Sequence, residues 1–431
     1  MLTRSFAQRG LGRRHPRLTA ALASILASAG LVACGSSSAS TTPTLHFYLA
    51  QDNSGSIQQT INACNSQANG AYRIEYDLLP SSSDGQRQQL VRRLAAKDPA
   101  LDIVGMDVTW APEFAEAGWI REWTGAIKDQ VSADTLPDAL ATASWQGKLY
   151  GAPSTSNTQL LWYRKDLVPT PPTTWDQMVS DAVALGQQGK PDKIEIQGAR
   201  YEGLTVWFNT MVSSEGGKIL SPDGTKVAID QTTTAALTEI KKLADSAAAD
   251  PSLSVQMEDT SRLAFEAGTA AFELNYPFVY PAAQKDVPKI FQNMGYAPFP
   301  RVDPNQPAAV TIGGINLGVT TSSKHPDLAF QAAACLRSAP NQKINATVGG
   351  LPPTIVSLYQ DPDVRKSYPF ADTILQELQS ASIRPQTPAY VNVSLTIEDA
   401  LSPPQAINPQ AVTNKLKSGL KDAIQSKGLI P

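Results

Sequence analysis

The pattern that most constrains the fold is an alternation of strand-like and helix-like segments early in the chain. Leu45–Ala50, Tyr72–Leu79 and Leu101–Asp107 are predicted strands. Between them, Ser56–Ala68 and Asp84–Pro99 carry apolar residues at helical spacing, and Asp84 is the expected N-cap of the second helix. Strands that alternate with helices of this length predict a parallel sheet with helices on its faces.

Two polar residues lie at strand ends in this prediction. Asn53 follows the first strand, and Asp107 closes the third. Ligands of open α/β sheets bind beyond the carboxyl ends of the strands, so both residues are candidates for a binding site. The 431 residues exceed what one hydrophobic core usually holds, and two α/β domains are therefore expected.

The first 33 residues have the composition of an export signal. They contain five arginines and no acidic residue, and Leu18–Val32 is apolar or small throughout. That stretch is shorter than the roughly 20 apolar residues that span a bilayer, as is usual in a secretory signal. Leu31–Cys34 matches the bacterial lipobox, in which the signal is cut before a cysteine that receives lipid. We therefore predict a signal at 1–33, a lipid anchor on Cys34, and a flexible Ser/Gly/Thr-rich tether over 34–43.

Charge and cysteine content narrow the classes of partner. Without the signal, 398 residues remain, with 31 basic and 39 acidic side chains and a formal charge of −8. Nucleic-acid binding requires basic patches, so this composition argues against a nucleic-acid partner. Cys64 and Cys335 are left besides the anchor. Because disulfides persist in exported proteins, these two cysteines either form a bridge or remain separate buried thiols.

Motifs for catalysis are largely missing. His46 and His325, the histidines outside the signal, are far apart and lack metal-ligand spacing, and the sequence has no phosphate-binding loop or serine-hydrolase motif. No metal and no cofactor is therefore expected. Paired carboxylates for glycoside hydrolysis stay open, because their separation is a three-dimensional property. Three aromatic residues beside polar ones either bind a sugar face or fill the core: Trp110, Trp207 and Tyr276.

Five segments taken together resemble a known family. They are LDIVGMDVTWAPEFAEAGW (Leu101–Trp119), LYGAPSTSNTQLLWYRKDL (Leu149–Leu167), ARYEGLTVWFNTMVSSEGG (Ala199–Gly217), RLAFEAGTAAFELNYPFVY (Arg262–Tyr280) and VTIGGINLGV (Val310–Val319). In this order they resemble the extracellular solute-binding proteins of carbohydrate ABC importers. With IRPQTPAY (Ile383–Tyr390), the likeness is strongest to the trehalose-binding lipoproteins of mycobacteria and their relatives.

The resemblance implies a two-lobed α/β fold of the periplasmic-binding-protein type, with the ligand cleft between the lobes. The N-terminal lobe is then expected to comprise residues 44–154 plus 314–356, and the C-terminal lobe residues 155–313 plus 357–431. In such a fold Cys64 and Cys335 lie in the same lobe.

The resemblance also implies site residues on both sides of the cleft. Asp107 matches a first-lobe carboxylate that accepts sugar hydroxyls, and Asn157 matches a hinge-side amide. Gly314 places a backbone N–H at the cleft, because glycine allows close approach. Tyr276 stands where close relatives often carry tryptophan, and it can still stack on a sugar ring. The implied ligand-binding set is Asn53, Asp107, Asn157, Glu258, Tyr276, Gly314 and Arg384.

The function implied by the resemblance is binding rather than catalysis. We expect a monomeric receptor, held at the outer face of the cytoplasmic membrane by its lipid anchor alone, that captures trehalose and delivers it to ABC permease subunits. Maltose, another α-glucoside or a glycerophosphodiester are the alternative ligands. An exported glycoside hydrolase that uses Asp107 and Glu258 is the alternative from another class.

Overall fold

The computed structural model describes residues 42–426. The predicted signal, the predicted anchor Cys34 and all but the last two residues of the predicted tether lie outside the described residues. Within residues 42–426, no helix combines the length and the hydropathy that crossing a membrane requires.

The strands of the described chain form two main sheets and one small ribbon. In chain order they are β1 (Thr44–Ala50), β2 (Arg73–Leu79), β3 (Ile103–Asp107), β4 (Ser144–Trp145), β5 (Lys148–Leu149), β6 (Ala152–Asn157), β7 (Leu160–Arg164), β8 (Lys193–Glu195), β9 (Ala270–Asn275), β10 (Met294–Ala297) and β11 (Gly313–Val319). The first sheet has the order β2-β1-β3-β11-β6, and the second has the order β10-β7-β9-β8.

Helices cover both sheets and connect their strands. They are α1 (Ser56–Gln67), α2 (Ser83–Ala95), α3 (Ala111–Glu116), α4 (Gly125–Ser132), α5 (Pro137–Thr142), α6 (Trp175–Gln187), α7 (Glu202–Ser214), α8 (Gln231–Asp245), α9 (Glu258–Glu266), α10 (Val279–Asp286), α11 (Pro288–Phe291), α12 (Pro326–Leu336), α13 (Ala339–Gly349), α14 (Pro362–Ser367), α15 (Ala371–Gln379), α16 (Tyr390–Leu401) and α17 (Pro409–Ile424).

The predicted strand–helix alternation at the start of the chain is confirmed. β1 pairs in parallel with both β2 and β3, and α1 and α2 connect these strands. β11 joins the same sheet antiparallel to β3 and β6. A segment distant in sequence therefore lies beside Asp107, at the edge of the sheet where ligands of such folds bind.

The predicted N-cap of α2 is wrong by two residues. Ser82, not Asp84, has the extended backbone of an N-cap, and its hydroxyl accepts a hydrogen bond from Gly85 N at 3.2 Å. Asp84 lies instead in the first turn, where its negative charge interacts favourably with the helix dipole. The helix thus begins one residue earlier than the predicted span, at Ser83.

Each main sheet has its own apolar core, which divides the described chain into two lobes. Phe47, Ile103 and Leu317 belong to the core of the first sheet. Ile194 and Phe272 belong to the core of the second. The chain passes from the first sheet to the second between β6 and β7 and returns between β10 and β11. The residue limits predicted for the two lobes stay a prediction.

A disulfide joins two helices that pack on the first sheet. Cys64 lies on α1 and Cys335 on α12, with their Cα atoms 5.9 Å apart. Both side chains contact the core of this lobe, and Cys64 is fully buried. Of the two possibilities that the sequence leaves open, the structure has the bridge.

Candidate functional site

A cavity of about 330 Å³ lies between the two lobes. The first lobe supplies Asp107 at the end of β3 and Asn157 at the end of β6. The second supplies Glu202 and Glu258, the first residues of α7 and α9, and Arg384 from the segment before α16. This volume is at the lower end of the range of small-molecule sites, about 300–1,000 Å³.

Arg384 connects the two sides of the cavity. Its Nη2 lies 3.2 Å from Asp107 Oδ1 on the first lobe, and its Nη1 forms an ion pair with Glu202 Oε1 on the second. The side chain is only 3% exposed. Burial acts to lower the pKa of Arg384, but the charges of Asp107 and Glu202 outweigh it and keep that pKa well above its usual value. The guanidinium is therefore charged and holds a carboxylate of each lobe.

Glu202 is fixed by α16 as well as by Arg384. The Tyr390 hydroxyl donates a hydrogen bond to Glu202 Oε1, and the Ser394 hydroxyl donates one to Oε2 at 2.5 Å. Burial raises the pKa of Glu202, and the positive charge of Arg384 opposes that rise. Glu202 is not among the site residues predicted from the sequence. The only local feature is its place as the first residue of α7, and acidic residues are common at helix starts without a binding role.

Glu258 stands apart from this ion-pair network. No salt bridge joins its carboxylate to a basic side chain of residues 42–426, and those of Arg384 go to Asp107 and Glu202. Two tyrosines that line the same cavity, Tyr201 and Tyr276, are its neighbours. Burial raises the pKa of both tyrosines, and the charge of Glu258 raises it further. Burial also raises the pKa of Glu258 itself.

Three side chains of the cavity wall carry a buried polar atom without a hydrogen-bond partner in the described part of the chain. They are Asn157 Oδ1, Tyr201 Oη and Arg384 Nε. Buried polar atoms of native proteins almost always have a partner from protein or solvent. Their concentration around one cavity is typical of a site that receives a polar ligand.

Gly314 lines the cavity for a structural reason. Its φ is +135°, and a Cβ atom there would lie 2.2 Å from the Thr155 carbonyl oxygen on the neighbouring strand. Only glycine allows β11 to approach β6 so closely at this position.

Six of the seven residues implied by the resemblance line this cavity: Asp107, Asn157, Glu258, Tyr276, Gly314 and Arg384. The seventh, Asn53, lies outside it, on the exposed loop after β1, where its Oδ1 accepts a hydrogen bond from Gln51 Nε2 at 3.1 Å. Trp110 and Trp207 are 4% and 0% exposed and pack in apolar cores. Of the two roles left open for these tryptophans, the structure assigns them the core.

The cavity wall contains no histidine or cysteine. In residues 42–426, no group of three or more histidine, cysteine, aspartate or glutamate side chains is arranged to hold a metal ion.

Comparison with known proteins identifies the family. Residues 54–343 match the model of the bacterial extracellular solute-binding proteins, which is about two thirds of the chain. The chain belongs to this family. A probable ABC transporter-binding protein of Deinococcus radiodurans is 30% identical over 320 residues, covering 72% of this chain and 75% of the relative. The diacetylchitobiose binding protein of Streptomyces coelicolor is 24% identical over 253 residues, or 57% and 58% of the two chains.

Two solved structures share the fold. Maltose-bound MalE3 of T. maritima superimposes with a TM-score of 0.81 at 26% identity, covering 88% of this chain and 99% of that one. The GacH receptor of Streptomyces glaucescens, solved unliganded and with acarbose, gives a TM-score of 0.77 at 21% identity, covering 90% and 99%. The predicted two-lobed α/β fold is thereby confirmed.

Proposed function

We propose that this solute-binding protein is the receptor of a carbohydrate ABC importer and that it binds trehalose in the cavity between its lobes. In this proposal the protein is a monomer tethered through lipid on Cys34, outside the cytoplasmic membrane, and it delivers the sugar to the permease subunits. Relatives described as binding maltose and diacetylchitobiose support a sugar as the ligand.

The observation that carries the proposal is the chemistry of the cavity wall. Asp107, Glu202 and Arg384 offer charged acceptors and donors, Asn157 offers an amide, and Tyr276 offers a ring face. A sugar presents hydroxyl groups around its edge and C–H groups on its faces, so it needs this combination. Hydrogen bonds to charged groups are roughly twice as strong as those between neutral groups.

A hydrolysis assay separates binding from catalysis. The contacts of Asp107 with Arg384 at 3.2 Å, Thr109 N at 3.0 Å and Thr109 Oγ1 at 2.8 Å all go to Oδ1, so Oδ2 stays available to accept a sugar hydroxyl. A retaining glycosidase would instead use such a carboxylate as a nucleophile, about 5–5.5 Å from a protonated carboxyl group. Release of glucose from trehalose by the purified protein would contradict the proposal in favour of the hydrolase.

Calorimetric titration with trehalose, maltose and a glycerophosphodiester tests the ligand. Asp107→Ala and Arg384→Ala should each weaken trehalose binding about tenfold or more, because each removes a charged hydrogen-bond partner. Asp129→Ala, an exposed position on α4, is the matched control and should bind like the parent. Binding of maltose or the diester but not trehalose would overturn the trehalose assignment. Unchanged trehalose affinity in both cleft variants would overturn the site.

The anchor is tested separately. Cys34→Ala removes the thiol that would carry lipid, so this variant should lose partitioning into detergent and retain its signal. Mass spectrometry of the parent's mature N-terminus should show a lipid-modified cysteine. An N-terminus elsewhere, without added lipid mass, would contradict the lipoprotein proposal.

A further inference from the structure

The carboxylate of Glu258 is the one acidic group of the cavity wall that lacks a basic partner in residues 42–426. Asp107 and Glu202 share the guanidinium of Arg384, which is the only basic side chain of that wall. Glu258 is half-buried, so its carboxylate is partly shielded from water and stays accessible from the cavity. The cavity as a whole carries three carboxyl groups and one guanidinium, so its charge favours a cationic ligand over an anionic one.

The neighbours of Glu258 fit a positively charged amine. Tyr201 and Tyr276 line the cavity beside it, and each contributes an aromatic ring. An ammonium group is attracted both by a carboxylate and by the face of an aromatic ring. The Tyr201 hydroxyl lies close to the Glu258 carboxylate and interacts with it, and its oxygen can also accept from an N–H group.

We propose that the Glu258 end of the cleft is an ammonium-binding subsite, and that an amino-substituted disaccharide binds there more tightly than its neutral parent. Glu258 accepts the charged N–H groups, and Tyr201 and Tyr276 surround them. Arg384 repels the ammonium and orients the amine toward the Glu258 end of the cavity. The inference rests on the proposed function, because it places a sugar in the same cleft.

Arg384 also provides independent support for a ligand in this cleft. It is 3% exposed, and its Nε has no hydrogen-bond partner among the described residues although both terminal nitrogens are paired. A sugar hydroxyl that accepts from this Nε would fix the ring at the Asp107 side. The amine of the same ligand would then lie toward Glu258.

The test compares trehalose with monoamino-trehaloses that carry the amine at each ring position, by isothermal titration calorimetry of the full protein at pH 7. At least one amino sugar should bind about ten- to hundredfold more tightly than trehalose, the gain expected for a charge-assisted hydrogen bond. Glu258→Gln should reduce that ratio to about one and keep the ligand-free melting temperature of the parent. Glu75→Gln, at an exposed position on β2, removes the same charge outside the cleft and should leave the ratio unchanged.

Two results would overturn the subsite while leaving the trehalose proposal intact. One is that trehalose binds but no amino-trehalose binds more tightly. The other is that the preference for the amine persists in Glu258→Gln. If trehalose does not bind, maltose and amino-maltoses are compared in the same way. A tightly bound amino-maltose would then support the subsite and overturn only the identity of the sugar, whereas no binding of any disaccharide would overturn both.

Discussion

Replacing Glu273 by glutamine should stabilise the protein at neutral pH and leave its stability unchanged in acid. Glu273 on β9 lies opposite Glu195 on β8 in the parallel register, and neither side chain is exposed. Glu273 Oε1 accepts a hydrogen bond from Asn275 Nδ2 at 2.6 Å, whereas Oε2 has no partner within residues 42–426. Burial raises the pKa of Glu273 to about 8, with a smaller contribution from Glu195, whose own pKa burial also raises to about 8.

The size of the effect follows from the proton that the folded chain retains. Between its usual pKa of 4.5 and about 8, Glu273 is protonated in the folded chain and ionised in the unfolded chain. Unfolding therefore releases a proton, and stability falls as the pH rises through this interval. At about 1.4 kcal/mol per pH unit, the cost is about 3 kcal/mol at pH 7 and levels off near about 5 kcal/mol above pH 8. Glutamine has no proton to lose, so the variant avoids this cost.

Urea denaturation, monitored by tryptophan fluorescence, gives the free energy of unfolding of Glu273→Gln and of the parent. The difference between them is measured at four pH values between 4.5 and 8.5. The difference should be near zero at pH 4.5 and grow to about 3 kcal/mol at pH 7. Glu75→Gln is the exposed control and should follow the parent at every pH. A difference that is the same at all four pH values would refute the reasoning, because a retained proton must produce a slope.

Three further predictions concern stability and backbone geometry. Reducing the Cys64–Cys335 bridge should lower the free energy of unfolding by about 4–5 kcal/mol, because the bridge closes a loop with a sequence separation of 271. An unchanged urea midpoint in reductant would contradict this. Gly314→Ala should lower the free energy of unfolding by about 1–3 kcal/mol and weaken sugar binding, because the added Cβ would displace the neighbouring strand. A melting temperature equal to the parent's would show that the strand can adjust. Ser82→Ala should lower the free energy of unfolding by about 1 kcal/mol, because it removes the N-cap hydrogen bond of α2. A melting temperature that does not decrease would exclude that role.

Local patterns in the sequence predict the first three strands well. β1, β2 and β3 alternate with α1 and α2, which indicates a parallel sheet, but the order β2-β1-β3 places β3 beside β1 and is not encoded in the alternation. β11 is different, because it enters the sheet from a distant segment and runs antiparallel to β3. No local periodicity encodes that pairing, and the resemblance to a family implied only that residues 314–356 belong to the N-terminal lobe.

The same distinction explains which site residues the sequence alone can indicate. Asp107 ends a predicted strand, and the rule that ligands bind at strand ends applies to it directly. Arg384 and Glu202 meet only through tertiary structure, since they lie in segments separated by most of the second lobe. An arginine and a glutamate with those sequence neighbours are equally compatible with exposed surface charges, and the resemblance implied only Arg384.

Glu202 and Glu258 show why acidic site residues are easily overlooked. Both are the first residues of their helices, α7 and α9, where a negative charge is stabilised by the helix dipole whatever else it does. Their charge is therefore already explained by the helix start, and nothing in the local sequence indicates that these residues also bind a ligand. Here the helix starts also offset part of the cost of bringing two carboxylates into a cavity with one guanidinium. The fold can therefore concentrate negative charge at the cleft without a matching excess of basic residues, which is the condition that an ammonium-bearing ligand would exploit.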